Sequence, residues 1–263
     1  MEKHHMRSEE EAGQIEFSAP YTYSLEREGR RIDYFGAEHT RDSAHPQMRE
    51  LKKSWEDFLS ATNNHKRIVF VEGSIREPQA TEEESIRSAG GEGGLISFLA
   101  RQQGIDLHCP EPSSADEAVE LLKRFSKEYI AYYYFARAID QWHRSFKAEV
   151  PFMKYIEGHL RQDKNELHWD DFDFSLDHMK QIHRKVFGVD FDEMDANLFY
   201  DSSNPARISN PISEVARASN DVRNGFILDE IEKYWNDGFS IFIVYGSGHA
   251  VVHEPALRKL VTT

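Results

Sequence analysis

The sequence has 263 residues and a formal net charge of −14, with 39% hydrophobic and 30% charged residues. This length is ample for a substantial hydrophobic core, and 17 Phe, 11 Tyr and 4 Trp exclude wholesale disorder. The acidic balance argues against non-specific binding to nucleic acid or anionic membranes, because both require a basic protein surface.

Cysteine content and the N-terminal segment bear on where the protein works. The single cysteine, Cys109, excludes an internal disulfide framework and fits a reducing compartment. No apolar run reaches the about 18 residues of a transmembrane helix, and Met1–Gln14 lacks the apolar core of a signal peptide. We therefore expect a cytoplasmic protein whose partner is neither a membrane nor a nucleic acid.

The first half of the chain alternates predicted strands and helices, after a tail of residues 1–14 that we expect to be disordered. The segments with strand-like composition or pattern are Ile15–Ser18, Tyr21–Glu26, Arg31–Phe35, Arg67–Glu72 and Ile105–Cys109. The helical patterns between them are Pro46–Ala61, Thr81–Ser88 and Leu95–Gln103. Arg67–Glu72 is almost continuously apolar at its centre, which is typical of a central parallel strand.

The second half begins with helical patterns that run almost unbroken from residue 113 to about Val186. Ser114, with Glu117 three residues later, has the spacing of a capping box. The remaining predicted elements are a loop at Asp190–Arg207, a helix at Ser213–Trp235, a strand at Phe239–Tyr245 and a last helix at Glu254–Val261. The expected fold is α/β, with a mixed, largely parallel central sheet flanked by helices. We expect one domain over residues 15–263, with a helical insertion or cap at about residues 113–207.

Three apolar strands end in a glycine that is flanked by side chains able to bind a metal or transfer a proton. The three strand ends read Gly36-Ala37-Glu38-His39, Glu72-Gly73 and Gly246-Ser247-Gly248-His249. Ligands of α/β sheets bind beyond the carboxyl ends of the strands, where such segments can converge. Two imidazoles and two carboxylates are the ligand set of a divalent metal. The alternative is that the glycines serve only as turns between strands and helices.

These motifs, together with an Arg-Asn pair within Asn220–Asn224, resemble the motif series of the TraB/PrgY/GumN and Tiki superfamily. Erythromycin-esterase-like and ChaN-like haem-binding proteins are its distant relatives. The motifs follow in the same order and span nearly the whole chain. Each motif is short, so the resemblance depends on their order and their position after strands. It implies an α/β core with a helical cap, and several members are metal-dependent hydrolases.

The resemblance implies roles for individual residues. His39 would be a metal ligand or the base that activates water, and Glu72 a second ligand or a proton shuttle. Arg223 would hold a carboxylate or a developing oxyanion, and His249 would complete the site. Glu38 stands where some relatives carry an acid and is a cofactor-binding candidate. A divalent Mn, Co or Zn ion, and a small-molecule or peptide substrate cleaved at an amide or ester bond, follow as expectations.

Several other residues are open to two interpretations. Glu92, within Gly90–Gly94, is a cofactor-binding candidate or part of a flexible surface loop. Arg76 is placed in the same crevice or in an ion pair with a neighbouring glutamate. Arg223 could instead form a surface ion pair with Glu230 or Asp229. His253 would share a helix face with His249 only if the last helix began before Glu254.

Other catalytic chemistries fit the sequence less well. Ser247 lacks the first glycine of the G-x-S-x-G motif, Cys109 lies in an apolar segment, and the glycine-rich loop has no phosphate-binding Lys-Ser/Thr. Besides hydrolysis, two alternatives stay open. The crevice could bind haem or a metal without turnover, or the chain could be a family member retained for protein interactions. The sequence does not determine the oligomeric state.

Overall fold

The computed structural model describes residues 4–88 and 90–262. The chain divides into two compact units, one formed by Met1–Glu111 with Asn224–Thr263, and the other by Pro112–Arg223. The sequence predicts a single domain with a cap at about residues 113–207. The second unit begins beside the predicted start of that cap but continues to Arg223, within a long helix.

The five strands all belong to the first unit and form one sheet in the order β1-β2-β5-β3-β4. Their bounds are Tyr21–Arg27 (β1), Arg30–Ala37 (β2), Lys66–Val71 (β3), Leu107–His108 (β4) and Phe239–Gly246 (β5). β1 is antiparallel to β2, whereas the β2–β5, β5–β3 and β3–β4 pairs are parallel. The predicted α/β class and mixed, largely parallel sheet are therefore confirmed.

The central strand is β5, and its near-continuous apolar sequence follows from burial on both faces. Phe242 and Val244 pack into one hydrophobic cluster with helices on one side of the sheet. Ile241, Ile243 and Tyr245 pack into a second cluster on the other side. Successive side chains of a strand point to opposite faces, so β5 contributes to both layers of the core.

Within the described residues of the first unit there are six helices, and two helical layers sandwich the sheet. Their bounds are Glu9–Gly13 (α1), Pro46–Ala61 (α2), Glu82–Ser88 (α3), Glu92–Gln102 (α4), Pro211–Asn236 (α10, of which residues 224–236 belong here) and Ser247–Thr262 (α11). α2 and α4 supply one layer, with Leu51, Phe58 and Leu95 fully buried. The second layer comes from α10 and α11, which contribute Ile231 and Leu257.

The second unit is entirely helical. Its helices are Ser114–Leu121 (α5), Lys127–Gln141 (α6), Phe152–Leu167 (α7), Leu176–Phe187 (α8), Ala196–Ser203 (α9) and the first part of α10, with a π-helical turn at Trp142–Phe146. Tyr132 and Phe135 of α6 are buried in its core. α9 lies inside the segment that was predicted to be a loop. The cap of α5 is Ser113 rather than Ser114, since the Ser113 hydroxyl accepts from the backbone N–H of Asp116.

Two predictions about the chain ends differ from the structure. Residues 1–14 were expected to be disordered, but α1 lies in this segment and its Ala12 packs on Val251 and Val252, while residues 1–3 lie outside the described part. The expected strand at Ile15–Ser18 does not form. The last helix begins at Ser247, seven residues before the predicted start, because burial of its first two turns outweighs the disruption by Pro255.

Glu254 of α11 joins the N-terminal segment to the sheet unit. It accepts hydrogen bonds from the Tyr21 hydroxyl at 2.7 Å, from Arg7 Nη1 at 3.2 Å and from Arg258 Nη2 at 2.6 Å. Burial favours the neutral acid, but the hydrogen bonds from Tyr21, Arg258 and Arg7 outweigh it and hold the pKa of Glu254 below its ordinary value. Within the described residues, no helix is long and apolar enough to cross a membrane.

Replacing Glu254 with Gln is expected to lower the free energy of unfolding by about 1–3 kcal/mol near neutral pH. Because the folded pKa is depressed, the ionised carboxylate stabilises the fold above the unfolded pKa, and this stability is lost as the pH falls through the folded pKa. Urea unfolding over a pH series should therefore show the two proteins converging in acid. The exposed Glu50→Gln variant is the control, with a change under about 0.5 kcal/mol. An equal deficit of E254Q at every pH would contradict this account.

Candidate functional site

Three parallel strands bring their carboxyl ends to one edge of the sheet. In the register of the sheet, Ala37 at the end of β2 pairs with Gly246 of β5, and Val71 at the end of β3 pairs with Val244. The residues that follow these ends therefore lie side by side. We call the group formed by His39, Glu72 and His249 the strand-end site.

Glu72 lies between the two imidazoles of this site. Its Oε2 is 3.7 Å from His39 Nε2, and its Oε1 is 3.8 Å from His249 Nε2. The carboxylate is held in place because Oε2 accepts the backbone N–H of Gly246 at 2.7 Å. A Cβ at Gly246 would lie 3.0 Å from His39 Nε2 and 3.5 Å from Glu72 Oε2, so glycine leaves the room that this arrangement needs.

Behind His39 stands Glu92, in the first turn of α4. Glu92 Oε1 accepts from Nδ1–H of His39 at 2.5 Å. Glu92 is 6% exposed, whereas the His39 side chain is 63% exposed. A carboxylate at a helix N-terminus is favoured by the helix dipole, and here it orients the ring so that Nε2 faces Glu72. The sequence predicted Glu92 as a cofactor-binding residue, and the structure places it directly behind His39.

Behind His249 stands Asn224, which the sequence did not single out. Asn224 is 1% exposed, and its Oδ1 lies 2.7 Å from Nδ1 of His249. Both imidazoles of the strand-end site thus have a buried oxygen acceptor on Nδ1 and direct Nε2 toward the same carboxylate. The signal in the sequence was the Arg-Asn pair, but only its arginine was assigned a role.

The backbone at Glu38 is fixed by Gln47, another residue that the sequence did not reveal. Gln47 of α2 is 1% exposed; its Oε1 accepts the N–H of Glu38 at 3.0 Å, and its Nε2 donates to the Glu38 carbonyl. Glu38 itself is exposed. Gln47 therefore positions the residue that precedes His39, and the cofactor-binding role of Glu38 stays a prediction.

Arg223 and Arg76 are the two arginines that the sequence indicated for the site. Arg223 is the last residue of the second unit and directly precedes Asn224 in α10. Arg76 is exposed and packs against Gly90, where a Cβ would lie 1.3 Å from its Nη1. Arg76 therefore lies against the loop that leads to Glu92, and only a glycine allows that approach.

The strand-end site consists of residue types that bind divalent metals elsewhere, each imidazole with an oxygen beside its Nδ1. Histidines that bind metals usually donate their other ring N–H to a carboxylate or another oxygen, as His39 and His249 do here. The distances to Glu72 are too long for hydrogen bonds. They are near the separation of about 3.4 Å between ligand atoms of a tetrahedral zinc site, although, among the described residues, His39, Glu72 and His249 do not form a group whose ligand atoms all lie within 4.8 Å of one another.

A tighter group of ligand atoms lies at the N-terminal segment of the first unit. Among the described residues, His4, Asp229 and Glu232 have such atoms within 4.8 Å of one another. His4 Nε2 is already 2.8 Å from Asp229 Oδ1, so this group forms a surface ion pair or hydrogen bond as it stands. In the strand-end site the His39 side chain is 63% exposed.

Comparisons of the chain with protein families, with curated proteins and with solved structures find no match. The resemblance to the TraB/PrgY/GumN and Tiki superfamily therefore stays a prediction, which depends on the order of the short motifs and on their position after strands.

The loop before Glu92 gives a direct test of how His39 is positioned. Gly91 has φ +68°, and a Cβ there would lie 2.1 Å from the Thr40 carbonyl oxygen. Gly91→Ala should lower the free energy of unfolding by more than about 2 kcal/mol, because strain and the clash add. Gly93→Ala is the matched control two residues away, with open space around the new methyl and a change within about 1 kcal/mol. Denaturant unfolding measures both variants. Equal stability of the two would contradict the close approach of Gly91 to the Thr40 carbonyl.

Proposed function

We propose that this protein is a metal-dependent hydrolase that cleaves an amide or ester bond at the strand-end site. The observation that carries the proposal is the pair of imidazoles that face one carboxylate, each held from behind by a buried oxygen. His39, Glu72 and His249 would hold a divalent Mn, Co or Zn ion. Such an ion, when bound, lowers the pKa of water and polarises a carbonyl or acyl oxygen.

The residues of the chain have distinct tasks in this proposal. Glu92 holds the proton at Nδ1 of His39, which keeps the lone pair of Nε2 available toward Glu72. The Gly246 N–H fixes Glu72 through Oε2, and Glu72 would serve either as a ligand of the ion or as the shuttle for the proton of an attacking water. Asn224 does for His249 what Glu92 does for His39.

Other parts of the proposal come from the sequence and are proposals of the same kind. Arg223 would hold a substrate carboxylate or a developing oxyanion, as the motif series implies. The substrate would be a small molecule or a peptide. A cytoplasmic location is proposed from the single cysteine, which fits a reducing compartment.

Loss of a metal-binding side chain gives the sharpest test of this function. His39→Ala and Glu72→Ala are expected to weaken binding of Mn²⁺, Co²⁺ or Zn²⁺ by at least about 100-fold, since loss of a supporting partner alone typically costs 10–100-fold. Calorimetric titration of the chelator-treated protein measures this, and peptide and ester substrate panels measure hydrolysis. Both metal-free variants should fold, but Glu72→Ala should unfold at a lower temperature than the metal-free parent, because the buried Gly246 N–H loses its acceptor.

His65→Ala is the matched control, because His65 directly precedes β3 at Lys66 and so lies at the opposite end of the strand that leads to Glu72. It should leave metal affinity and turnover unchanged. If the parent protein contains no transition metal by elemental analysis and gains no thermal stability from the three ions, the metal mechanism is wrong. Stoichiometric haem uptake in a spectral titration, without hydrolysis, would favour the alternative of a non-catalytic haem-binding protein.

A further inference from the structure

A buried chain of hydrogen bonds runs away from His249 into the core of the first unit. Asn224 Oδ1 lies 2.7 Å from His249 Nδ1 and 2.9 Å from His253 Nε2. His253 Nδ1 lies 3.0 Å from the hydroxyl of Tyr34 on β2. Tyr34, His253 and Asn224 are 2%, 0% and 1% exposed. This series of hydrogen bonds exists because α11 begins at Ser247. His249 and His253, four residues apart, then lie on one face of the helix.

The directions of these hydrogen bonds follow from the central amide. An amide oxygen only accepts, so both ring nitrogens that face Asn224 Oδ1 must carry a proton. His253 therefore has its proton on Nε2, and its Nδ1 accepts from the Tyr34 hydroxyl. His249 has its proton on Nδ1. Every bond of the chain then has one donor and one acceptor.

This pattern decides what His249 offers to the strand-end site. With the proton on Nδ1, Nε2 presents a lone pair toward Glu72 Oε1, 3.8 Å away. Two lone pairs that face each other repel unless a cation or a hydrogen-bond donor lies between them. The other tautomer would place N–H toward Glu72 and turn the Nδ1 lone pair against the oxygen of Asn224.

We propose that Asn224, His253 and Tyr34 are positioning residues, which fix the tautomer of His249 so that its Nε2 is a ready metal ligand. The inference rests on the proposed function, because the tautomer matters only if Nε2 binds a cation. It adds three residues to the site that neither bind the ion nor touch substrate. It also gives a reason for burying the polar side chains of Tyr34 and His253 in an otherwise apolar layer.

The amide of Asn224 shows that this orientation has a cost. Its Nδ2 is buried and has no hydrogen-bond partner among the described residues, and an unsatisfied buried donor is unfavourable. Rotating the amide by 180° would instead make Nδ2 donate to both rings. That arrangement would move the proton of His249 to Nε2 and the proton of His253 to Nδ1, so the two orientations predict opposite tautomers.

The test is long-range ¹H–¹⁵N NMR of the metal-free protein with ¹⁵N-labelled histidine, which reports the protonated nitrogen of each ring. We expect Nδ1–H for His249 and Nε2–H for His253. Asn224→Leu removes the acceptor and should shift His249 toward Nε2–H. Asn224→Asp keeps an acceptor oxygen and should retain the Nδ1–H form. Nε2–H at His249 in the parent protein would overturn the inference.

Tyr34→Phe provides a variant that keeps the core filled and removes only the far end of the chain. It should change the His253 ring signals and weaken Zn²⁺ binding by less than about 10-fold, against about 10–100-fold for Asn224→Leu. Tyr23→Phe is the matched control: its ring packs beside Tyr34, but its hydroxyl donates to the Ala250 carbonyl. If Y23F changed the His253 signals and the Zn²⁺ affinity as much as Y34F does, the hydrogen bond from Tyr34 to His253 would have no specific role.

These measurements separate the inference from the proposed function. If the expected tautomers are found but the protein binds no metal, the hydrolase proposal fails and the assignment of the hydrogen-bond chain stands. If metal binds tightly while His249 carries its proton on Nε2 in the metal-free protein, the chain does not prepare the ligand and this inference fails.

Discussion

The hydrogen bond from the Gly246 N–H to Glu72 is the interaction on which the site depends. It joins the end of β5 to the residue that follows β3, and it fixes the carboxylate between two imidazoles. The bond requires that β3 and β5 be adjacent and parallel, and a side chain at position 246 would come within 3.0 Å of His39 Nε2. The strand order, the glycine at position 246 and the position of the Glu72 carboxylate therefore depend on one another.

Sequence patterns predicted the elements that are buried on both faces and failed where local signals conflict with packing. The apolar runs of β3 and β5 were located almost to the residue, because central parallel strands have a distinctive composition. α11 was predicted to begin at Glu254, since Pro255 is a helix-start signal. In the structure the helix includes Pro255, and the burial of Val251 and Val252 explains why tertiary packing prevailed. α9 was missed because short helices carry little periodic signal.

The strand-end residues were predictable, whereas the residues behind them were not. His39, Glu72 and His249 each follow a strand and a turn, and chain order alone indicates that such positions converge. Gln47, Asn224, His253 and Tyr34 act through contacts between residues as far apart as 219 positions, which no local pattern encodes. Glu92 is intermediate: its glycine-rich surroundings marked it, but only its burial shows that it supports His39.

The position of β5 in the sheet has a consequence for how the protein is made. β5 is the last strand along the chain, yet it lies between β2 and β3, and Ile32 of β2 pairs with Ile241 of β5. Contacts of such long range are slow to form. On the ribosome, β2 and β3 would wait with unpaired, apolar edges while the whole helical second unit is synthesised, a state prone to association with other chains. The sheet therefore stays incomplete at its centre until residues 239–246 have been made.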